Sequence, residues 1–261
     1  MVEIHSLNKQ EYVSKPKRVL KYILVLCKKG NVTVVIDENE FLLNENQVIT
    51  ITSGQIHFFK NINGQVDILA FTLDFICKDD NDIELIFHNG LFCHFGMNEI
   101  ITLNNTNSHD LLQKIALELK QKKFQYLISI RNYIELLLVE LNRAKIENGD
   151  EIWKPDALFL KFLEAVRTHF ANNYSITEFA QILLTAEAKL NELSKLHTNK
   201  TAQNVIFSLT ISEAKRLLMY HNISIKEIAF QLGFNDPFYF STFFKKHTQI
   251  SPKEYKKRFS L

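Results

Sequence analysis

With 261 residues, 46% of them hydrophobic and 23% charged, the chain is long enough for about two domains with a core each, and its composition excludes disorder. Net charge is +2, but residues 157–261 hold 14 Lys and Arg against 8 Asp and Glu, whereas residues 1–156 hold 17 against 21. A basic C-terminal part on an acidic N-terminal part fits a polyanion-binding module joined to something else. No apolar run approaches the roughly 20 residues that span a bilayer, and no charged-then-apolar signal opens the chain, so the protein is expected in the cytoplasm, off the membrane. Cys27, Cys77 and Cys93 are odd in number and show no CxxC spacing, which reads as reduced thiols.

In chain order, short segments rich in Val, Ile, Phe and Thr come first: 19–27, 32–36, 40–43, 47–52, 57–60 and 66–75. KKGN, DENE, NEN, TSG and NING separate them as turns. Six short strands at this spacing predict a small barrel or sandwich within 1–105. Phe41, Phe58, Phe59 and Phe71, with His57, are candidates to line a small-molecule pocket inside it.

From Ser108 the period becomes helical, over 109–124 and 128–146. Ile130, Ile134, Leu137, Leu138 and Leu141 recur at i, i+4, i+7 and i+8, an apolar face wide enough either to cover the β-domain or to meet a second copy. Region 106–148 is therefore the expected dimerisation region of a homodimer. Residues 149–156, with Gly149 and Pro155, make the linker.

Residues 157–261 read as all-α, with helices at 157–172, 176–183, 187–197, 201–220, 225–232, 237–247 and 252–258. They contain a repeat: Ser175-Ile-Thr-Glu-Phe-Ala180 matches Ser224-Ile-Lys-Glu-Ile-Ala229 at an offset of 49, and past the next turn Lys195 matches Lys245 at an offset of 50. Each unit runs from an N-cap serine, Ser175 or Ser224, through a short helix with an inward alanine to a turn and a second helix, so the unit is a helix-turn-helix present twice. The helix over 201–220 joins the two at about 30 Å of length, close to the ~34 Å between successive major grooves on one side of DNA.

The second unit holds the stretch GFNDPFYFSTFFKKHTQISP, residues 233–252. Asp236 is a natural N-cap and Pro237 suits the first turn. At 100° per residue Phe240, Phe243, Phe244 and His247 share a core-like face, while Phe238, Thr242 and Lys245 look outward with Tyr239 and Lys246 at the border. Aromatic edges, a hydroxyl and cations are what a major-groove helix needs: Phe238 and Tyr239 for thymine methyls or sugars, Thr242 for hydrogen bonds, Lys245 and Lys246 for phosphates.

The string SIKEIAFQLGFNDPFYFSTFFKKHTQISPKEY resembles the signature of the AraC/XylS family of bacterial transcription regulators. The matching residues are Gly233-Phe234, Asp236, Tyr239-Phe240-Ser241, Phe244-Lys245-Lys246 and Ser251-Pro252. The resemblance implies a two-unit binding domain for double-stranded DNA, preceded by a cupin-like β-barrel that senses an effector and by dimerising helices, with RNA polymerase a partner if the protein activates. Carried over by position, it puts base contacts at Ala188, Asn191 and Glu192 in the first recognition helix and at Phe238, Tyr239 and Thr242 in the second, with Lys195 on phosphate beside Lys245 and Lys246. Glu192 and Thr242 stand where the family usually has arginine, and Asn199 and Gln249 stand where a glycine precedes the unit's end.

Residues 52–61 also resemble the second cupin metal motif through Gly54, His57 and Asn61, but the first motif's HxH is absent from 19–52, so neither metal nor cofactor is expected. The loosely spaced His88, Cys93 and His94 are too few for a site. No nucleophile elbow, phosphate loop or carboxylate pair is present, and the expectation is a regulator rather than an enzyme. The competing readings are a cupin-type enzyme fused to a DNA-binding domain and a ligand-independent regulator controlled by its abundance.

Overall fold

The structure, a computed structural model, describes residues 1–9, 14–77, 91–92, 98–149, 156–220 and 223–259. His88, Cys93, His94 and linker residues 150–155 lie outside these. Two compact units divide the chain, Met1–Pro155 and Asp156–Leu261.

The first unit is built on an antiparallel sheet of β1 (Val2–Lys9), β2 (Lys17–Arg18), β3 (Tyr22–Ile36), β4 (Asn39–Asn44), β5 (Gln47–Ile51), β6 (Ile56–Phe71) and β7 (Ile100–Thr102). The order is β1-β6-β3-β5-β7, with β2 added to β6 and β4 to β3. Two turns expected from sequence are not turns. KKGN and NING sit opposite each other within two long strands, where Gly30 pairs with Gly64. A Cβ on Gly30 would fall 2.1 Å from the Asn63 carbonyl oxygen, and one on Gly64 1.9 Å from that of Lys29. These glycines let two backbones approach where the strands bend, with a register shift between Cys27 and Lys29. So 22–27 and 32–36 belong to one strand, with 19–21 outside it, as 57–60 and 66–71 belong to another; past Phe71 the chain turns instead into helix α1 (Leu73–Ile76). Strand β1 falls outside the predicted segments: VEIHSLNK has only Val2, Ile4 and Leu7 as apolar residues, and the exposed pair His5-Ser6 breaks their alternation.

The inner face of the sheet packs Ile23, Val25, Val32, Val34, Ile36, Leu43, Ile49, Ile51, Phe59, Ile62 and Val66 into one core. Helices α2 (Asn107–Gln121) and α3 (Tyr126–Glu147) follow; they pack on each other, with α2 also against β1 and α3 against β7. Ile130, Ile134, Leu137, Leu138 and Leu141 are completely buried within the chain. The face assigned to dimerisation is instead the one that holds α3 to its own domain. Spacing shows that a helix face is apolar and cannot show what covers it.

The second unit is helical: α4 (Ala157–Thr168), a 3-10 turn (Phe170–Asn172), α5 (Ile176–Ile182), α6 (Glu187–Thr198), α7 (Ala202–Tyr220), α8 (Ile225–Gln231), α9 (Pro237–Thr248) and α10 (Pro252–Phe259). Ser175 and Ser224 each close a capping box, with Glu178 and Glu227. The central α7, 19 residues or about 28 Å long, supplies Ala214, Leu217 and Leu218 to a core shared with Ile228, Ala229, Phe234, Phe240, Phe244 and Tyr255. Among the described residues no helix is long and apolar enough to cross a membrane.

Candidate nucleic-acid interface

Each helix-turn-helix closes its turn with the same backbone bond. The Thr185 N–H donates to the Ala180 carbonyl at 2.9 Å, and the Phe234 N–H to that of Ala229 at 2.9 Å. The residue before each donor adopts the left-handed conformation, Leu184 at φ 52° and Gly233 at φ 75°. This is the Schellman geometry, which satisfies the last carbonyls of the first helix and directs the chain into the second. Ala180 and Ala229 are buried at the crossings. In the first unit Thr177 Oγ1 also donates to Glu187 Oε1 at 2.5 Å, tying the bracing helix to the recognition helix.

The second recognition helix, α9, begins at Asp236, whose carboxylate accepts from the Phe238 N–H at 2.9 Å. Phe240 and Phe244 are fully buried and Phe243 nearly so. His247, expected with them, is exposed and lies at the rim, its ring 4.7 Å from that of Phe243 and 5.3 Å from Phe207. Partial burial, then the charge of Lys246, lowers its pKa. The opposite face is open: Phe238 is 84% and Tyr239 65% exposed, and Thr242, Lys245 and Lys246 stand beside them. Burial of an aromatic side chain is strongly favourable, yet these two aromatics on a well-capped helix stay open to solvent. Thr242 Oγ1 donates to the Phe238 carbonyl at 3.0 Å. Its proton is used inside the helix, which leaves a methyl group and acceptor lone pairs facing outward.

The first recognition helix, α6, differs. Ala186 occupies the position of Asp236 and provides no side-chain cap. Ala188 and Lys195 are exposed, and Glu192 is held by Lys189 at 2.9 Å, so its outward charge is largely balanced. Asn191 is turned away: its Oδ1 accepts the Ala202 N–H at 3.0 Å and caps the start of α7. That bond satisfies an orphan donor at a helix N-terminus, and position within α6 gave no sign of it. Asn199 and Gln249 end α6 and α9 in the left-handed conformation.

In the N-terminal unit the five pocket candidates do not converge; Phe58, between His57 and Phe59 on β6, is buried on the opposite face from those two. Phe59 belongs to the sheet's inner core with Phe41 packed at its edge, and His57 is paired beside Ile36 on that same face. Phe71 lies on the other face, against Tyr22 and Phe92 with ring centroids 6.1 and 5.8 Å away. Alternation alone would keep 57, 59 and 71 on one side of β6, but the bulge between Phe59 and Asn61 reverses the parity and turns Phe71 to the other. His57 is buried, with Nδ1 lacking a hydrogen-bond partner. Burial and then the charge of Lys17 push its pKa down to about 4. The preceding arm clips onto β6 beside it, where Ser14 N–H donates to the Phe59 carbonyl at 2.9 Å and Phe59 N–H to Ser14 Oγ at 2.8 Å.

Residues 179–258 match the model of a helix-turn-helix domain, and residues 1–130 that of an AraC-like ligand binding domain. Over 95 residues the chain is 36% identical to an HTH-type transcriptional regulator of Pseudoalteromonas carrageenovora, covering 36% of this chain and 56% of that protein. Over 118 residues it is 31% identical to the HTH-type transcriptional activator RhaS of an Enterobacter species, covering 45% and 42%. The chain spans about half the length of the curated relatives it matches. A solved structure of ToxT from Vibrio cholerae aligns over 98% of this chain and 94% of that one, at 17% identity and a TM-score of 0.44.

Proposed function

We propose that the chain, which belongs to the AraC/XylS family of bacterial transcription regulators, reads a DNA site chiefly through α9, with α6 positioning it in the adjacent major groove. The carrying observation is the outward face of α9, where Phe238, Tyr239 and Thr242 stand in line with Lys245 and Lys246 while the first unit offers only Ala188, a paired Glu192 and Lys195. Arginine is absent from both faces, so the preferred site is defined less by guanine pairs than by thymine methyls and amino-group donors facing Thr242. The protein acts in the cytoplasm, has no catalytic step of its own, and engages RNA polymerase if the bound form activates. Selection of binding sites from random DNA by the full chain tests this. The expected motif covers two successive major grooves, and failure to enrich any motif at low salt overturns it.

The N-terminal unit is the regulatory part. The orphaned Nδ1 of His57 on the inner face of the sheet, beside Phe59 and Phe41, supports reception of a small effector with a hydrogen-bonding group. Homodimerisation uses the outward stripe of α3 rather than its buried face. Ile128, Asn132, Leu136, Val139, Arg143 and Ile146 recur at steps of four or three along one side of the helix, and Ile128, Leu136 and Ile146 are exposed.

A further inference from the structure

We infer that His197 is a positioning residue for DNA reading, a latch that holds the point where the chain enters the C-terminal unit against the back of the first recognition helix; this rests on the reading that α6 lies in a major groove. The Asp156 N–H donates to His197 Nε2 at 3.2 Å. Asp156 is the first residue of its unit and the N-cap of α4, where its carboxylate accepts from the Leu158 N–H at 2.8 Å. Its side chain is thus fixed to its own helix and its backbone N–H to α6. The His197 ring also lies on Phe159, with centroids 4.9 Å apart and planes at 31°. Accepting from an N–H requires a neutral imidazole whose own proton is on Nδ1. Burial lowers the His197 pKa, with the Asp156 carboxylate acting the other way, so the ring is neutral at neutral pH.

The same helix holds a second neighbour in the same way. Asn191 Oδ1 accepts the Ala202 N–H, so α6 supplies an acceptor to the N-termini of both α4 and α7. A helix N-terminus leaves its N–H groups without intrahelical partners, and each acceptor satisfies one while fixing where α6 lies between the two helices. His197 is on the far side of α6, about 140–180° around the axis from Ala188, Glu192 and Lys195, and acts only through the placement of those residues. The second helix-turn-helix provides the contrast. At an offset of 50 His197 corresponds to His247, whose ring packs on Phe207 of α7 at 5.3 Å. Both recognition helices thus rest a histidine ring on a phenylalanine of the helix that precedes the bracing helix. Among the described residues the added bond to a backbone N–H is confined to His197. Residues 150–155 lead in sequence to Asp156, so a pull passed along the chain from the N-terminal unit arrives at the residue that His197 ties to α6.

Titration and hydroxyl-radical footprinting of the full chain on the site it selects from random DNA test this, well below the melting temperature, where a loss of stability alone does not alter affinity. His197→Phe keeps a ring on Phe159 and removes the acceptor; His197→Gln removes the ring and puts an amide oxygen near the position of Nε2. We expect His197→Phe to bind about fivefold more weakly and to lose protection in the groove of the first helix-turn-helix while keeping that of the second. His197→Gln should protect both grooves within about twofold of the parent affinity, and His247→Phe should behave as the parent. If His197→Phe does not fold, the donor is removed instead: Asp156, at φ −69°, stands where proline fits, and Asp156→Pro should reproduce the loss while Asp156→Ala, which drops only the cap, should not. A parent that protects two grooves with His197→Phe, or its substitute Asp156→Pro, doing the same at parent affinity overturns the inference and leaves the DNA reading standing. So does a His197→Gln that loses the first groove, because packing of the ring is then what matters. A parent footprint confined to one groove overturns both.

Discussion

The two helix-turn-helix turns place Leu184 and Gly233 at equivalent positions and in the same left-handed conformation, and they predict opposite responses to substitution. A non-glycine residue there costs about 1–2 kcal/mol, and Leu184 recovers nothing by packing because it is 93% exposed. Leu184→Gly removes that strain and gives back about 0.5–1 kcal/mol through the freer unfolded chain, for a net gain of about 0.5–1 kcal/mol. At Gly233 a Cβ would lie 2.7 Å from the Ala171 carbonyl oxygen and 2.8 Å from both Asn173 N and Cβ. Gly233→Ala thus adds a clash with the 3-10 turn to the conformational cost, and about 2–4 kcal/mol of destabilisation follows. Calorimetry of the full chain, with the second unit's transition resolved, should show Leu184→Gly melting a few degrees higher and Gly233→Ala about 10 °C or more lower. Destabilisation by Leu184→Gly, or indifference at Gly233, would refute the equivalence of the two turns.

Lys245→Ala should weaken binding to all sequences alike and reduce the slope of log affinity against log salt by about one unit, which titration at several salt concentrations measures. Glu192→Ala should tighten binding to unselected DNA, since it frees Lys189 from its ion pair; equal or weaker non-specific affinity would count against that placement. His57 is buried neutral with a folded pKa of about 4, below the ordinary 6.5, so the unfolded chain takes up the proton first and stability falls as pH drops from about 6.5 to 4. The loss amounts to about 3 kcal/mol at most, and His57→Gln should flatten the first unit's melting temperature over that range. In sedimentation, Ile128→Glu with Ile146→Glu should yield a folded monomer, whereas Leu137→Glu should unfold the first unit because Leu137 is fully buried.

The second unit was legible because its helices begin with local chemistry. Ser175, Ser224 and Asp236-Pro237 specify their own caps, and the repeat offset of 49 then 50 locates the turns. The sheet was less so. Gly30 and Gly64 signal turns by composition, and only their pairing across two strands shows that they serve close approach. The α3 face misled for a related reason, since apolar spacing over 130–141 is the same whether the cover is α2 and the sheet or a second chain. Of the candidate interface residues, the exposure of those on α9 could be placed by helical periodicity. The turning of Asn191 toward Ala202 and the pairing of Lys145 with Glu99 depend on which elements meet, and no local pattern encodes them.

The most direct test of DNA reading by α9 is binding-site selection carried out in parallel with the parent chain and with Thr242→Ala. Thr242 presents a methyl group and acceptor lone pairs at the middle of the exposed face. The account predicts that the parent enriches a motif spanning two major grooves, and that Thr242→Ala relaxes one or two base pairs in one half of it while costing about 1–3 kcal/mol on the parent site. An unchanged motif and affinity with Thr242→Ala would contradict it, because α9 would then not lie in the groove.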